Sequence, residues 1–546
     1  MKYLYFIFLY GLPFNLLAQE NIEESLKEII SSVSSSDQPG LSIGLVQKGK
    51  LTHHLQGGLA NLEYDVSIHK NTVFGLASIT KQFTAGCIGV LVQDKKIDLE
   101  EDVRTYIPEL PNFGDTIRIQ HLLNHTSGLR NHNVLLDLKG FDYNYNGYNN
   151  AQIQALIFKQ KGVNTRPGER MLYANSNYVL LALIVERVSG MSLDKFAQVS
   201  IFQPLKMERT FFLSDNRTIV KDRAQTYYTK KGKIKQHKSL TTCIGAGGLM
   251  STVEDLALWS NMFTIKGHPF SWLASFITKE HQLKDGRPLS YAQGVFIDTY
   301  SDVKTIHHSG RGRGMRAQII SIPTQKITII VLTNTARIDA VDISYQVLDL
   351  LLPKKTSVSK QAKKYQHTEE ALKHFVGEYQ EMNSDLAMSI FIKDDTLKAK
   401  SSFGRNAVNL AGLEKGRFQR VGNATVVHQF FDKKVQDWDM SVSFGGATFY
   451  FEKVVYVDAK EVLAKKYRGI YFSEELDIEY ELFDKNDKLY LSYLNNPSVE
   501  LFSGQKDEFG SGRRTRYVFD RNGAGEITSF RVASEGTVKD ILFVKK

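Results

Sequence analysis

Cysteine is scarce in this chain of 546 residues: only Cys87 and Cys243 occur. Two thiols exclude a disulfide scaffold and any Cys-rich zinc site; one bridge is the alternative, and a pair of buried free thiols is the expectation. Long apolar runs are lacking as well. Past the first 17 residues no uncharged run reaches the roughly 18 residues of a membrane-spanning helix, which excludes a polytopic membrane protein. Nor is there a block of five or more consecutive Lys or Arg, although 69 Lys plus Arg against 59 Asp plus Glu give a net charge of +10. So thinly spread an excess reads as solvated surface and not as a nucleic-acid track. With 42% hydrophobic and 23% charged residues the composition is that of a globular protein. The length is several times that of a domain of roughly 100 to 200 residues, so two to four domains are expected.

Met1-Lys2, an apolar run from Tyr3 to Leu17, and Ala18-Gln19 ahead of Glu20 follow the order of a secretory signal peptide. Gly11, Pro13 and Asn15 interrupt the run, and no Cys follows it, so neither a spanning helix nor a lipoprotein anchor is indicated. Residues 1–19 are expected to be the signal peptide. The mature protein is then periplasmic or secreted, with no stable membrane insertion.

Periodicity organises the rest. Leu41 to Gln47 (LSIGLVQ), a Lys48-Gly49-Lys50 turn and Leu51 onward read as a hairpin, as do Gln318 to Ile322, the Pro323-Thr324-Gln325 turn and Lys326 to Thr333. Between them Lys81 to Gln93, Asn177 to Arg187 and Val253 to Phe263 place apolar residues three and four apart, the helical spacing. Asp342 to Leu352 repeats it. Strands at both ends with helices between predict one α/β domain, residues 20–353, whose sheet is completed when the chain returns. Residues 354–368 are basic and polar and read as a linker.

Beyond the linker, short alternating strands predict all-β structure, and an internal repeat is visible. Phe375-Val376-Gly377-Glu378-Tyr379 matches Tyr467-Arg468-Gly469-Ile470-Tyr471, Leu397 matches Leu489, and Phe451 matches Phe543, all at an offset of 92 residues. One offset at start, middle and end predicts two copies of a small barrel-like domain, residues 369–457 and 460–546.

Chemistry concentrates in the first region. In Ser78-Ile79-Thr80-Lys81 the serine and lysine stand i and i+3 at the start of a helix, where they share a face. The helix N-terminus favours alkoxide character and leaves N–H groups for an oxyanion. A lysine kept neutral by burial then supplies the base. The spacing alone is weak, since it recurs at Ser67, Ser192, Ser301, Ser357 and Ser503. Only Ser78 precedes a long apolar helical pattern. Gly40-Leu41-Ser42-Ile43-Gly44 also fits the G-x-S-x-G nucleophile elbow, which needs a strand before the serine and a helix after it. Here a loop precedes Ser42 and a strand contains it, so the required context is inverted.

Tyr173-Ala174-Asn175 stands before the apolar helix from Tyr178. A phenol beside a lysine can shuttle a proton and a carboxamide can hold a substrate amide, though Tyr148-Asn149-Asn150 has the same spacing. His308-Ser309-Gly310 lies ahead of the Gln318 strand, where a small residue and a glycine admit a substrate backbone.

Together these segments, FGLASITKQFTAG…IRIQHLLNHTSGL from Phe74, LYANSNYVLLALIVERVSG from Leu172, AGGLMSTVEDLALW from Ala246 and HHSGRGRG from His307, resemble the serine β-lactamase-related family. That family includes class C β-lactamases, penicillin-binding DD-peptidases, D-aminopeptidases and esterases. The resemblance covers residues 25 to 352 and implies an α/β domain with a five-stranded antiparallel sheet flanked by helices. By position it implies catalytic Ser78 (nucleophile), Lys81 (base), Tyr173 (proton shuttle) and His308 (first residue of the third motif). It implies substrate contacts from Asn175, Ser309, Gly310 and Arg311, with an oxyanion hole at the backbone N–H groups of Ser78 and Arg311. The third motif departs from the Lys-Thr-Gly of class C β-lactamases and many DD-peptidases, and a His is mostly neutral above pH 7. That favours the peptidase and esterase branches, and the paired β domains are similar to those of D-aminopeptidases, whose barrels border the active site.

The resulting expectation is an exported serine hydrolase acting on a small-molecule or peptide substrate, a D-amino acid-containing peptide or amide first of all, with cell-wall material as one source. A carboxylesterase, a weak β-lactamase, or a noncatalytic cell-wall-binding sensor that keeps the pocket are the alternatives. No metal, cofactor or nucleic acid is called for. Every candidate catalytic residue precedes Pro353, so the barrels are expected to shape substrate choice and not to supply catalysis.

Overall fold

In the computed structural model the described residues are 13–352 and 365–546, apart from short stretches at 383–385, 403–405, 422, 436–437, 445–446, 457–462, 495 and 513. A first helix, α1 (Pro13–Val33), runs without a break through the expected signal-peptide boundary at 19. Among the described residues no helix is long and apolar enough to cross a membrane. Strand β1 (Leu41–Gln47) is buried along both faces except at Gln47, as an interior strand must be. Lys48 and Gly49, both at positive φ, turn the chain into β2 (Lys50–Gly57).

Helices α2 (Thr80–Gln93), α3 (Asn175–Ser189) and α4 (Val253–Thr264) follow where the apolar spacing predicts them. The chain then returns as β3 (Phe296–Tyr300), β4 (Val303–Gly312), β5 (Met315–Ile322) and β6 (Ile327–Thr333), and α5 (Ala340–Leu351) closes the domain. The sheet order is β3-β4-β5-β6-β1-β2, antiparallel throughout. Thr333 lies opposite Leu41 and Ile327 opposite Gln47, so the returning strand seals the hairpin that began the domain. α1 and α5 cover one face through Leu26, Ile30, Ile343 and Val347, while the helical region packs on the other.

The sheet has six strands and not five. The additional edge strand, β3, joins β4 through Ser301 and Asp302, both in the left-handed region (φ +47 and +62). Non-glycine residues are uncommon there, so Tyr-Ser-Asp-Val carries no glycine to announce the turn.

Both C-terminal units are closed eight-stranded antiparallel barrels, the first from Gly377–Glu381 to Ala447–Val454, the second from Gly469–Ser473 to Val538–Lys545. The offset of 92 holds in atomic detail. The Tyr379 hydroxyl donates to the Phe375 carbonyl and that of Tyr471 to the Tyr467 carbonyl, each at 2.9 Å. Lys453 lies over the Tyr379 ring and Lys545 over the Tyr471 ring, each at 5.8 Å. Most of the expected linker falls outside the described residues. At its end the Tyr365 N–H donates to the Gly412 carbonyl and His367 stacks on Phe418, so residues 365–367 lie against the first barrel.

Candidate active site

Ser78 sits in a 3-10 turn, Ala77–Ile79, that runs directly into α2. Ala77 is held at φ +46, a conformation a non-glycine residue adopts only when its surroundings impose it. Those surroundings are specific. The Leu76 N–H donates to the Leu249 carbonyl at 2.9 Å, and the Leu76 carbonyl presses on β4 at Gly310, where a Cβ would stand 2.2 Å from it. Gly310 was expected to admit a substrate backbone; the space it leaves is filled by the nucleophile's own turn. The contact brings Arg311, the next residue of β4, to the same cleft as Ser78.

Lys81 is completely buried, with its amine 3.2 Å from Ser78 Oγ. It donates to Asn175 Oδ1 at 2.7 Å and to the Ala246 carbonyl at 2.9 Å, and it lies 4.8 Å from the centre of the Tyr173 ring. Burial pushes its pKa well below the ordinary 10.5, with no carboxylate to oppose the shift. A neutral amine has two N–H groups and one lone pair. The two carbonyl-type acceptors take the N–H groups and leave the lone pair for the Ser78 proton.

Tyr173 presents its ring to Lys81, and its hydroxyl is buried beside that of Ser78. Burial raises the phenol pKa, and the neighbouring Ser78 hydroxyl opposes that rise. Asn175 is engaged at both ends of its amide, accepting from Lys81 and donating to Asn133 Oδ1 at 2.6 Å. The loop 124–131 and the start of the helix His132–Leu138 frame this pair. The His125 carbonyl accepts from the Leu172 N–H at 2.8 Å, and the His125 ring packs tilted against Tyr173 with centroids 4.2 Å apart. Asn131 Oδ1 accepts from the Asn175 N–H at 3.2 Å, and Ser176 Oγ donates to the Arg130 carbonyl at 2.6 Å.

His308 is buried behind this layer and not in the cleft. Its Nε2 is 3.1 Å from the Tyr291 hydroxyl and its Nδ1 is 2.6 Å from the Ser309 carbonyl. Burial above all lowers its pKa to about 3, so it carries no charge at neutral pH. Ser309 pairs with Gln318 across the sheet. The structure thus brings Ser78, Lys81, Tyr173 and Asn175 into one constellation, with Gly310 and Arg311 beside it and His308 and Ser309 a layer back.

A cleft of about 280 Å³ opens on Ser78, lined also by Asn133, Tyr148, Asn175, Ala246 and Arg311. Cys243, expected to be buried, is half-buried and lines the cleft; Cys87 is buried, and both thiols are free. Sequence reasoning missed His125, Asn133, Tyr291 and the Ala246 carbonyl. HLLNHTSGL and AGGLM were visible as segments, but a backbone acceptor leaves no residue-type signal.

The rival serine has an unexpected setting. Ser42 Oγ lies 2.9 Å from His54 Nε2, and His54 Nδ1 lies 3.0 Å from Glu254 Oε1, the order of a Ser-His-Glu relay. Ser42 is nevertheless 1% exposed, in a central strand paired on both sides with Gln56 and Leu332. Neither a route for substrate nor free backbone N–H groups for an oxyanion exist there.

A family model described as Beta-lactamase matches residues 19–351, more than half of the chain. Penicillin-binding protein 4* of Bacillus subtilis is 27% identical over 343 residues, 58% of this chain and 72% of that protein. A D-aminopeptidase of Brucella anthropi is 22% identical over 517 residues, 90% of this chain and 93% of that one, an alignment that runs through the barrels. Among solved structures, an octameric penicillin-binding protein homologue from Pyrococcus abyssi superposes with a TM-score of 0.55 at 23% identity, covering 87% of this chain and 98% of that one. That last likeness is one of fold.

Proposed function

The chain belongs to the Beta-lactamase family of serine hydrolases, and we propose that it cleaves an amide or ester through an acyl-enzyme at Ser78, its substrate a peptide or amide containing a D-amino acid. The observation that carries the reading is the wholly buried Lys81 amine 3.2 Å from Ser78 Oγ. Neutral Lys81 takes the hydroxyl proton as Oγ attacks the carbonyl carbon. The backbone N–H groups of Ser78 and Arg311 receive the oxyanion, and Tyr173 hands a proton to the departing amine or alcohol and regains one from protonated Lys81, which is thereby returned to its neutral form. Water then attacks the acyl ester and frees the acid and Ser78. Asn175 meets the substrate amide by exchanging its bond to Asn133. His308, neutral, positions Tyr291 behind Tyr173 and supplies no cation. Similarity along most of its length to a D-aminopeptidase supports the substrate class.

Residues 20–353 form the hydrolase domain in this reading and 1–19 a signal for export, which N-terminal sequencing of the mature protein checks. A fluorophosphonate probe is expected to add once, to the peptide containing Ser78, and Ser78→Ala to abolish labelling and turnover. Lys81→Ala is expected to lower kcat/KM on the order of 100-fold or more. Because burial lowers the Lys81 pKa, kcat/KM rises with pH as that group deprotonates and levels off below its ordinary 10.5. Labelling that persists in Ser78→Ala and maps to Ser42 overturns the assignment.

A further inference from the structure

The cleft is charged in one sense only. Arg223, Arg311 and Arg313 line it, beside a His237 whose pKa burial and Arg313 lower, and none of its lining residues is an Asp or Glu. Two cavities continue from it. One shares Arg223 and His237 and adds Lys238; the other shares Arg311 and Arg313 and adds Lys230 and Arg316; neither is lined by a carboxylate, whereas a cavity that shares Arg223 alone is lined by Asp222, which pairs with Arg209. The thinly spread excess of positive charge is thus gathered here.

Nearby arginines away from the cleft behave differently. Arg209 pairs with Asp222 and Arg217 with Asp215. Arg223, next to Asp222 in sequence and half-buried, has no carboxylate partner among the described residues, and burial alone lowers its pKa. Leaving a guanidinium partly desolvated and unpaired is unfavourable unless an anion completes it. Arg313 is held in place, donating to Asn144 Oδ1 at 2.8 Å and lying 5.6 Å from the Tyr143 ring. Arg316 fixes the turn beneath it by donating to the Gly312 and Met315 carbonyls, each at 2.7 Å. Fixed donors around an open space are the arrangement that binds an oxyanion. The third motif supplies no such cation, because His308 is neutral and buried.

We propose that the substrate carries an oxyanion, a carboxylate or a phosphate, which sits among Arg223, Arg311 and Arg313, and that the cleft rejects a substrate with a free α-ammonium group. The inference rests on the acyl-enzyme reading of Ser78 and narrows it: with no carboxylate to receive an ammonium, the cleft departs from aminopeptidase specificity. Oγ forms the acyl ester, the scissile amide breaks, the amine leaves with the Tyr173 proton, and the bound oxyanion is unchanged throughout.

Four matched p-nitroanilides of D-alanine test this on the full-length protein: the succinyl, phosphonoacetyl and acetyl derivatives and the free amine. The expected order of kcat/KM is anionic over acetyl by about tenfold or more, and acetyl over free amine. The better of the two anionic arms identifies the group. Raising the salt from about 0.05 to 0.5 M lowers turnover of the anionic substrates selectively. Arg223→Gln and Arg313→Gln each lower the anionic-to-acetyl ratio about fivefold or more, and Arg223→Lys restores part of it. The order in which the same four compounds protect Ser78 from the fluorophosphonate probe gives the preference independently of turnover. Equal handling of all four, or preference for the free amine, with Ser78 labelled normally, overturns the oxyanion site alone. Absence of Ser78 labelling overturns the acyl-enzyme reading beneath it.

Discussion

The two barrels share a fold and an offset, yet they meet the hydrolase domain by different physics. The core of the first, built on Phe375, Tyr379, Phe418 and Phe430, is separate from the rest of the molecule. The core of the second, including Tyr480, Phe530 and Phe543, is continuous with that of the helical region. The first barrel touches the chain just ahead of Tyr173: Arg170 lies 4.4 Å from the centre of the Tyr450 ring, and Arg287 donates to the Tyr450 hydroxyl at 3.1 Å. The second grips the loop that frames Asn175. Arg130 and Glu475 form a buried ion pair, the Asn131 N–H donates to the Thr537 carbonyl at 3.1 Å, and the Tyr480 hydroxyl donates to the Leu138 carbonyl at 2.6 Å. At the shared offset, Tyr450 corresponds to Leu542 and Tyr480 to Met388. Duplication thus preserved the barrel, and substitution at single buried positions decided what each copy holds.

Deleting one barrel at a time breaks the comparison hardest. A chain ending near residue 456 is expected to be insoluble or unfolded, because it exposes the helical surface that Tyr480 and its neighbours cover. A chain lacking residues 366–456 but keeping the second barrel is expected to fold and to label at Ser78. Circular dichroism and probe labelling on the two proteins decide it; equal behaviour ends the distinction. With that outcome, a role in substrate choice alone holds for the first barrel and not for the second.

Next in size is Glu475→Leu. Arg130 and Glu475 are 2% and 5% exposed, so removal of one partner strands a buried charge, at about 3–5 kcal/mol in denaturant unfolding. A fall in kcat/KM accompanies it, since the Arg130 carbonyl and Asn131 hold the segment beginning at Asn175. Arg170→Gln at the first barrel is smaller, about 1–2 kcal/mol for a desolvated cation–π contact, with its kinetic effect confined to the Tyr173 step. Tyr480→Phe removes one hydrogen bond and is expected to change stability by about 1 kcal/mol with kcat/KM unchanged.

What could be read in the sequence follows from how local each cause is. The hairpin at Leu41, the helices at Lys81, Asn177 and Val253, and the repeat are written in adjacent residues. The edge strand β3 was lost because its turn uses Ser301 and Asp302 without glycine. The Ser78–Lys81 pair is local, being one helical turn, and Asn175 was reachable through resemblance. Arg130 and Glu475 lie 345 positions apart, and nothing in either neighbourhood announces the other. His308 stands in the third motif by resemblance, but its burial against Tyr291 depends on strand packing that spacing does not encode.

The Ser42–His54–Glu254 relay carries a lesson for genetics. It ties two strands of the sheet to the first turn of α4, so Ser42→Ala leaves His54 Nε2 without its partner in the interior and weakens the domain that carries Ser78. In a colony screen for lost hydrolysis, alleles at 42 and 78 would be scored alike, one through protein abundance and the other through chemistry. Complementation at reduced growth temperature separates them: the Ser42 allele regains activity as the fold recovers, and the Ser78 allele does not.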